Sequence, residues 1–229
     1  MEIDVILLSY TKNDDIYNMT KDSIESIIES ESDTKFNIYL LETEKTGKYV
    51  YKYDDVKVIV PDGEFNYNRF LNIGLAECKN EWILISNNDT AYHKNWLTQM
   101  IIQHRKTGLL SMSPYCPIYA LHRRYLSEQK DLFYGYRVGI ELTGWSILLN
   151  RKVIDTIGEF DERFSFWYQD NDYAMNLQKH NLKHGLVKRS IVTHLLSKSH
   201  GLVSPEKKHQ MTNGLAKVFY EKWPKGKLQ

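Results

Sequence analysis

The most informative stretch of this sequence is residues 82–90, where the apolar run Trp82-Ile83-Leu84-Ile85-Ser86 is followed directly by Asn87-Asn88-Asp89-Thr90. The run has the length of a strand and ends at turn-forming residues, so it predicts a buried β-strand. In open α/β sheets, ligands bind in the crevice beyond the carboxyl ends of the strands. The stretch therefore predicts an acid and two amides at the edge of a binding crevice.

Strands and helices alternate on both sides of this stretch. The predicted strands are Val5–Ser9, Phe36–Leu41, Val56–Val60, Trp82–Ser86, Leu109–Met112, Ser146–Leu149 and Leu186–Thr193. The predicted helices are one capped by Asp14 or Asp15, then Asn66–Glu77, Asn95–Arg105, Arg151–Ile157, Asp170–His180 and Pro205–Trp223. This alternation predicts one α/β domain over residues 1–229, with a mostly parallel central sheet covered by helices.

The pattern weakens between residues 113 and 142. Pro114 and Pro117 interrupt it, and six Tyr or Phe residues crowd into the stretch from Tyr115 to Tyr136. We expect a long loop or a pair of irregular helices here, and long loops in compact domains are usually functional or mobile.

The composition excludes several classes of protein. Hydrophobic residues make up 42 % of the 229 residues and charged residues 26 %, which rules out collagen-like, low-complexity and disordered chains. Two cysteines, Cys78 and Cys116, cannot form a disulfide framework, which favours a reducing cytosol. The N-terminus lacks the basic start of a signal peptide, and no apolar run approaches the roughly 20 residues that a bilayer requires. We therefore expect a cytoplasmic protein without an integral membrane segment, whose membrane contact, if any, is peripheral.

The charge is distributed unevenly along the chain. Residues 1–60 carry 13 acids against 7 Lys or Arg, residues 61–178 carry 14 against 12, and residues 179–229 carry 2 against 11. The basic C-terminal segment, residues 179–229, suits a phosphate-bearing ligand, a nucleic acid or anionic lipid, and it also fits an ordinary solvated surface.

Three polar clusters carry candidate chemistry, and neither a dinucleotide-binding fingerprint nor a P-loop is present. Asp89 at a strand tip suits Mg²⁺ or Mn²⁺, which take one or two carboxylates plus substrate phosphates, although Asp also simply shapes turns. Asp170 and Asp172 follow an aromatic run, and the desolvation expected there raises a carboxylate pKa towards that of a general base. Capping of the helix alone would explain one of these two acids. His194 ends an apolar strand and precedes a loop of small, hydroxyl-bearing and basic residues, which suits closure over a metal-bound pyrophosphate, although a lone His is more often a satisfied surface or core residue.

Several motifs in order give the chain a resemblance to the inverting GT-A glycosyltransferases of family 2, over nearly its whole length. Asn87-Asn88-Asp89-Thr90 resembles the N-N-D-T variant of the D-x-D motif, and Gln169-Asp170-Asn171-Asp172 stands where the family has E-D-x-D or N-D-x-D. The other matching segments are residues 65–74, 144–149, 158–162, 194–201 and 219–223. The sequence departs from the family at Glu42-Thr43-Glu44, in place of D-x-S-x-D, and at His200, where arginine is common.

The resemblance implies an α/β GT-A fold with a Rossmann-like, mostly parallel but mixed central sheet flanked by helices, and it implies roles for individual residues. Asp89 would coordinate Mn²⁺ or Mg²⁺ on the donor diphosphate with His194 as second ligand, Asp170 would be the general base, and Asp172 would cap the helix or orient its neighbours. Around the nucleotide sugar the resemblance places Ser9, Tyr10, Thr11 and Glu42 at the nucleoside, Arg69 and Asn88 near the ribose or phosphates, Trp145 under the sugar or acceptor, and Lys198 and His200 over the pyrophosphate.

The implied reaction is transfer of a sugar from a nucleoside diphosphate sugar, with a UDP-sugar favoured, to a hydroxyl group with inversion at the anomeric carbon. Residues 1–113 would hold the donor and residues 114–229 the acceptor, which could be a glycan, a lipid-linked glycan, a protein or a modified nucleic acid. Two alternatives stay open: an inactive binding module that keeps the fold, and a sugar-phosphate nucleotidyltransferase. The second usually has a glycine-rich basic loop after the first strand, which residues 9–13 do not form.

Overall fold

A mixed β-sheet forms the centre of the molecule, with helices on both faces. The computed structural model describes residues 1–195 and 205–224, with side chains for residues 1–195 and 214–224. The strands are β1 Glu2–Ser9, β2 Lys35–Glu42, β3 Val56–Ile59, β4 Trp82–Asn87, β5 Thr90–Tyr92, β6 Ser111–Tyr115, β7 Leu132–Tyr134, β8 Ser146–Asn150 and β9 His184–His194. The helices are α1 Asp14–Glu29, α2 Tyr67–Glu77, α3 Trp96–Thr107, α4 Arg151–Ile157, α5 Gln169–Lys179 and α6 Pro205–Lys222, with a 3₁₀ helix at Ala120–Tyr125.

Within the described residues, nine strands form one sheet in the order β3-β2-β1-β4-β8-β6-β9-β5, and β7 also pairs with β9. Strands β3, β2, β1 and β4 are parallel neighbours. Strand β8 runs antiparallel to both β4 and β6, whereas β6 is parallel to β9. The parallel strands place the carboxyl ends of β1, β2 and β4 at one edge, where such sheets bind ligands. The predicted α/β fold with a mixed central sheet is confirmed.

The alternation of side chains along β1 supplies the two faces of the core. Ile3, Val5 and Leu7 are buried in a cluster with apolar residues of α1 and α3. Ile6 and Leu8 point the other way, into a cluster with residues of α2, α4 and α5. Successive side chains of a strand point to opposite faces, so a strand that is apolar at every position is covered on both sides.

Helix α2 lies unusually close to β1 because residue 74 is a glycine. A Cβ at Gly74 would lie 2.7 Å from Cγ2 of Ile6, closer than packed carbon atoms can approach. The backbone of α2 therefore packs directly against the Ile6 side chain of β1, which fixes the position of the helix on the sheet.

The cap of α1 differs from the prediction. Asn13, not Asp14 or Asp15, is the N-cap, and its side-chain oxygen accepts a hydrogen bond from the backbone N of Ile16 at 3.0 Å. Asn is as good an N-cap as Asp, and the two acids then occupy the first turn, where the helix dipole favours negative charge.

Short elements that sequence patterns miss lie on the C-terminal side of the sheet. β5 begins two residues after β4, in a stretch where the sequence predicts no strand, and β6 runs on through Pro114 with an irregular register between Pro114 and Tyr115. The weakly patterned stretch 113–142 holds the 3₁₀ helix and β7. These elements are three to six residues long, too short for hydrophobic periodicity to identify. In the part of the chain that the structure describes, no helix combines the length and apolar character needed to cross a membrane.

Candidate active site

The pairing of β5 with β9 brings Asp89 to His194. Thr90 of β5 lies opposite His194 of β9, and the backbone N of Leu195 donates a 2.9 Å hydrogen bond to the carbonyl oxygen of Asp89. This register places Nε2 of His194 3.2 Å from Oδ1 of Asp89. Both side chains are largely buried, so a carboxylate and an imidazole face each other at the carboxyl end of β4.

The Asp89–His194 pair fits a hard divalent cation. Among the described residues, no group of three or more His, Cys, Asp or Glu side chains could hold a metal by itself. Mn²⁺ and Mg²⁺ nevertheless need only one or two protein ligands when substrate phosphates complete the coordination shell, and Mn²⁺ accepts imidazole. Nδ1 of His194 forms no hydrogen bond with the described residues, so the ring is not committed to a structural partner there.

Trp145 fixes the plane of the His194 ring. The two rings are stacked, with centroids 5.0 Å apart and an angle of 7° between their planes. The backbone N of Asn87 also donates a 3.0 Å hydrogen bond to the carbonyl oxygen of Trp145, which ties this residue to the end of β4. The indole N–H of Trp145 is buried and has no acceptor within the described residues. It can therefore donate to an oxygen of a bound ligand.

Asp170 lies against the residue that precedes Trp145. It is the second residue of α5, and a Cβ at Gly144 would lie 2.5 Å from its Oδ2, so only glycine leaves room for the carboxylate. Burial raises the pKa of Asp170 above its usual value. A carboxylate with a raised pKa is a better proton acceptor, which suits a general base.

Tyr67 connects the two acidic centres. Its hydroxyl donates a 3.3 Å hydrogen bond to the carbonyl oxygen of Gly144 and lies 3.5 Å from Oδ1 of Asn87. The pKa of Tyr67 is raised strongly, first by burial and then by the negative charges of Asp170 and Asp89. Its hydroxyl therefore stays protonated, a permanent donor between the two carboxylates.

Asp172 does not cap α5. The N-cap is Tyr168, in the left-handed region at φ 65°, a conformation that costs a bulky residue energy. The Asp172 carboxylate instead accepts hydrogen bonds from Nε1 of Trp223 at 2.7 Å and from Nζ of Lys222 at 3.0 Å. Asp172 thus anchors the end of α6, which agrees with the expectation that it orients neighbouring groups and not with the one that it caps the helix.

The residues expected around the nucleoside form a buried hydrogen-bonded cluster at the ends of β1 and β2. Glu42 accepts from the backbone N of Thr11 at 3.0 Å, from Oγ1 of Thr11 at 2.7 Å and from the hydroxyl of Tyr51 at 3.3 Å. Oγ of Ser9 lies 3.1 Å from Oγ1 of Thr11. Because both oxygens of Glu42 are used within the chain, Glu42 holds the Thr11 loop in place. The side chain of Tyr10, which lies between Ser9 and Thr11 in the chain, is exposed.

Two further candidates have partners inside the chain. Nδ2 of Asn88 donates to Oγ1 of Thr20 at 2.9 Å and to Oγ of Ser9 at 3.3 Å, so this amide is turned towards α1. Nη2 of Arg69 donates to the backbone carbonyls of Asp62 and Glu64 and holds the loop before α2. Lys198 and His200 lie outside the described residues.

The sequence interpretation missed three residues that the structure connects to the site: Thr20, Tyr51 and Tyr67. Tyr67 lies within residues 65–74, one of the segments that carry the family resemblance. Nothing in the local sequence distinguishes Thr20 and Tyr51, because both join the cluster through contacts between separate elements.

Comparisons with known proteins agree with this geometry. The profile of glycosyl transferase family 2 matches residues 4–176, most of the chain. The crystal structure of S. aureus TarS superposes with a TM-score of 0.64 at 14 % sequence identity, covering 92 % of this chain and 38 % of that one. No curated protein matches the chain in sequence. The fold is of the GT-A type, and the chain belongs to glycosyl transferase family 2.

Proposed function

We propose that the protein transfers a sugar from a UDP-sugar to a hydroxyl acceptor by a metal-dependent, inverting displacement. The observation that carries the proposal is the dipeptide Gly144-Trp145. Trp145 stacks on His194, which faces Asp89, and Gly144 lies against Asp170. The cation-binding pair and the proton acceptor therefore lie against two consecutive residues of the chain, which supports a donor sugar bound between them.

Asp89 and His194 would hold Mn²⁺ or Mg²⁺, and members of this family generally use divalent metal ions. When bound, the ion supplies Lewis-acid stabilisation of the negative charge on the leaving diphosphate. The role of Trp145 is to keep the imidazole plane fixed and to offer its indole N–H to an oxygen of the sugar or acceptor.

Asp170 acts as the general base in this proposal. Its carboxylate takes the proton of the acceptor hydroxyl as the hydroxyl oxygen attacks the anomeric carbon. Attack on the face opposite the leaving diphosphate inverts the configuration at that carbon. General-base catalysis contributes typically about 10²–10⁴ in rate, and the raised pKa of Asp170 supports the assignment.

Residues 1–113 would bind the donor and residues 114–229 the acceptor. Ser9 and Thr11 shape the nucleoside end of the donor site, where Tyr10 is the exposed aromatic side chain. Lys198 and His200 would close over the pyrophosphate. The excess of Lys and Arg in residues 179–229 attracts the same negatively charged group at long range.

The test measures release of UDP from UDP-glucose, UDP-galactose and UDP-N-acetylglucosamine with and without Mn²⁺, since transferases hydrolyse their donors slowly. Asp170→Asn should keep the thermal stabilisation by UDP plus Mn²⁺ and lose turnover by about 10²-fold or more. Asp89→Ala should lose the Mn²⁺-dependent part of that stabilisation. The matched control is Asp155→Asn, an exposed acid of α4, which should behave as the wild type.

Normal turnover by Asp170→Asn would refute its role as the base. UDP binding that is the same with and without Mn²⁺ would refute the metal site. Formation of UTP and sugar 1-phosphate from the UDP-sugar and added pyrophosphate would identify a nucleotidyltransferase, and Mn²⁺-dependent donor binding without any turnover would identify a binding module.

A further inference from the structure

The 3₁₀ helix and the residues beside it, Ile118–Leu126, form a rigid surface segment with a repeat of three. Side chains three residues apart lie above one another in a 3₁₀ helix. Tyr119, His122 and Tyr125 form the inward row, with His122 fully buried. Nδ1 of His122 accepts a 2.9 Å hydrogen bond from the backbone N of Cys116, and the hydroxyl of Tyr125 donates to Glu141. These contacts hold the two outward rows in a fixed orientation. One row contains Ile118, Leu121 and Arg124, and the other contains Ala120, Arg123 and Leu126.

The outward rows are apolar to an unusual degree. Ile118 is 50 % exposed, Leu121 40 % and Leu126 60 %. Among all the side chains that the structure describes, only one other Leu or Ile is exposed, Leu195. Single exposed apolar residues are normal on a protein surface, but a cluster of them marks an interaction site.

Two arginines lie on the same outward rows. Arg123 and Arg124 are exposed and, within the described residues, form no ion pair, whereas Arg137, Arg151 and Arg163 each pair with an acid. Lys188 anchors the end of the segment by donating to the backbone carbonyl of Leu126 at 3.0 Å. Aliphatic side chains beside unpaired guanidinium groups complement a surface that offers acyl chains and phosphates together.

The segment borders the candidate active site. Burial raises the pKa of Tyr119 on its inward row, and the negative charge of Asp170 raises it further. The ring of His122 lies 6.3 Å from that of Trp145 between centroids. A surface bound to the outward rows would therefore lie one row of side chains away from Trp145.

We propose that the outward face of Ile118–Leu126 binds the surface of an anionic lipid bilayer, with Ile118, Leu121 and Leu126 in the acyl boundary and Arg123 and Arg124 on lipid phosphates. This proposal rests on the proposed function, because a protein bound in this way would hold its candidate active site near acceptor hydroxyls at the same bilayer surface.

The experiment is flotation of the full-length chain with vesicles of phosphatidylcholine alone or mixed with phosphatidylglycerol in about a 7:3 ratio. The wild type should bind the anionic vesicles and bind the neutral ones more weakly. Leu121→Ser/Leu126→Ser should bind at least about tenfold more weakly, because apolar area drives insertion. Arg123→Gln/Arg124→Gln should lose about fivefold for each arginine. The assay contains no nucleotide sugar, so its outcome is independent of the transfer reaction.

Matched control variants test whether vesicle binding depends on where the lost side chains lie and not only on the loss of apolar or charged side chains. Val50→Ser/Val60→Ser removes two side chains that are 54 % and 46 % exposed elsewhere, and Arg105→Gln/Lys106→Gln removes two exposed charges at the end of α3. Both should bind within about twofold of the wild type. The proposal is overturned if the wild type ignores anionic vesicles, if the Leu121/Leu126 variant binds normally, or if the controls lose as much. It is also overturned if these leucines instead support a concentration-dependent dimer in sedimentation velocity, which would make a second copy the occupant.

Discussion

Gly144 and Trp145 are neighbours in the chain, and each contacts one chemical centre of the site. Gly144 leaves room for the Asp170 carboxylate, and the Trp145 ring covers His194. A side chain at residue 144 would have to displace Asp170, and loss of the indole would free the imidazole to rotate. The spacing of acid, imidazole and carboxylate therefore depends on two residues that need not touch a proton or a metal themselves.

The buried charge of Asp170 should cost the protein stability, as is common where function requires a desolvated group. A carboxyl whose pKa is raised in the folded state contributes stability that is present below its unfolded pKa and is lost as pH rises through its folded pKa. Asp170→Asn removes the ionisation, so its melting temperature at pH 7 should exceed that of the wild type. The gain should shrink as pH falls and vanish below the unfolded pKa.

Differential scanning fluorimetry between about pH 4 and pH 8 measures this difference. Asp155→Asn on the exposed face of α4 is the control and should follow the wild type throughout. A melting temperature for Asp170→Asn that is equal to or below the wild-type value at pH 7 would mean that burial does not penalise the Asp170 charge.

At the level of the elements, the close approach of α2 to β1 should make Gly74→Ala destabilising. The added Cβ would lie 2.7 Å from Cγ2 of Ile6, and overpacking of a core typically costs about 1–3 kcal/mol. Urea unfolding measures the loss, and the second change Ile6→Ala, which makes room, should cost less in the Gly74→Ala background than in the wild type because the two changes are coupled.

Gly214→Ala in α6 is the matched control, because no heavy atom of the described residues outside the helix's own backbone lies within 4 Å of the added Cβ. In a helix interior, alanine is favoured over glycine by up to about 1 kcal/mol, so this variant should be as stable as the wild type or more so. Equal effects of the two substitutions would show that α2 does not rest on β1 through Gly74.

At the scale of the whole molecule, Lys222 ties the last helix to the body of the fold. Its Nζ lies 2.8 Å from Oδ2 of Asp161 and 2.8 Å from Oδ1 of Asp172, and the latter side chain is only 3 % exposed. Lys222→Met removes a cation from buried carboxylates and should lower the free energy of unfolding by about 2–4 kcal/mol. Lys217→Met, at a pair whose side chains are 80 % and 62 % exposed, should change it by less than about 0.5 kcal/mol.

The effect of Lys222→Met should also depend on pH. A hydrogen bond from Arg163 lowers the pKa of Asp161, burial opposes this, and Lys222 lowers it further. Because that pKa is depressed, the stabilisation is present above the unfolded pKa and lost as pH falls through the folded pKa. The difference between Lys222→Met and the wild type should therefore shrink in acid, measured by urea unfolding across pH. A constant difference would place the effect in packing and not in charge.

The elements that the sequence predicted well are those whose signal is local. Strands β1, β2 and β4 and helices α2, α3 and α5 lie within a few residues of their predicted bounds. A strand buried on both faces is a continuous apolar run, and a helix buried on one side has apolar residues at a regular spacing, so consecutive residues are enough to identify both. The sequence did not predict β5 and β7, because these three-residue strands form only by pairing with β9, which is distant in the chain.

The amino-acid sequence by itself determined the apolar strands, their order along the chain and the polar residues at their ends, since each depends on neighbours a few positions away. Only the tertiary structure decided that Asp89 faces His194, that Trp145 covers that ring, and that Glu42 accepts hydrogen bonds from Thr11. These choices depend on the register between β5 and β9 and on the packing of separate elements. Strand register is a long-range property, because it is set by the whole buried face and not by any single segment.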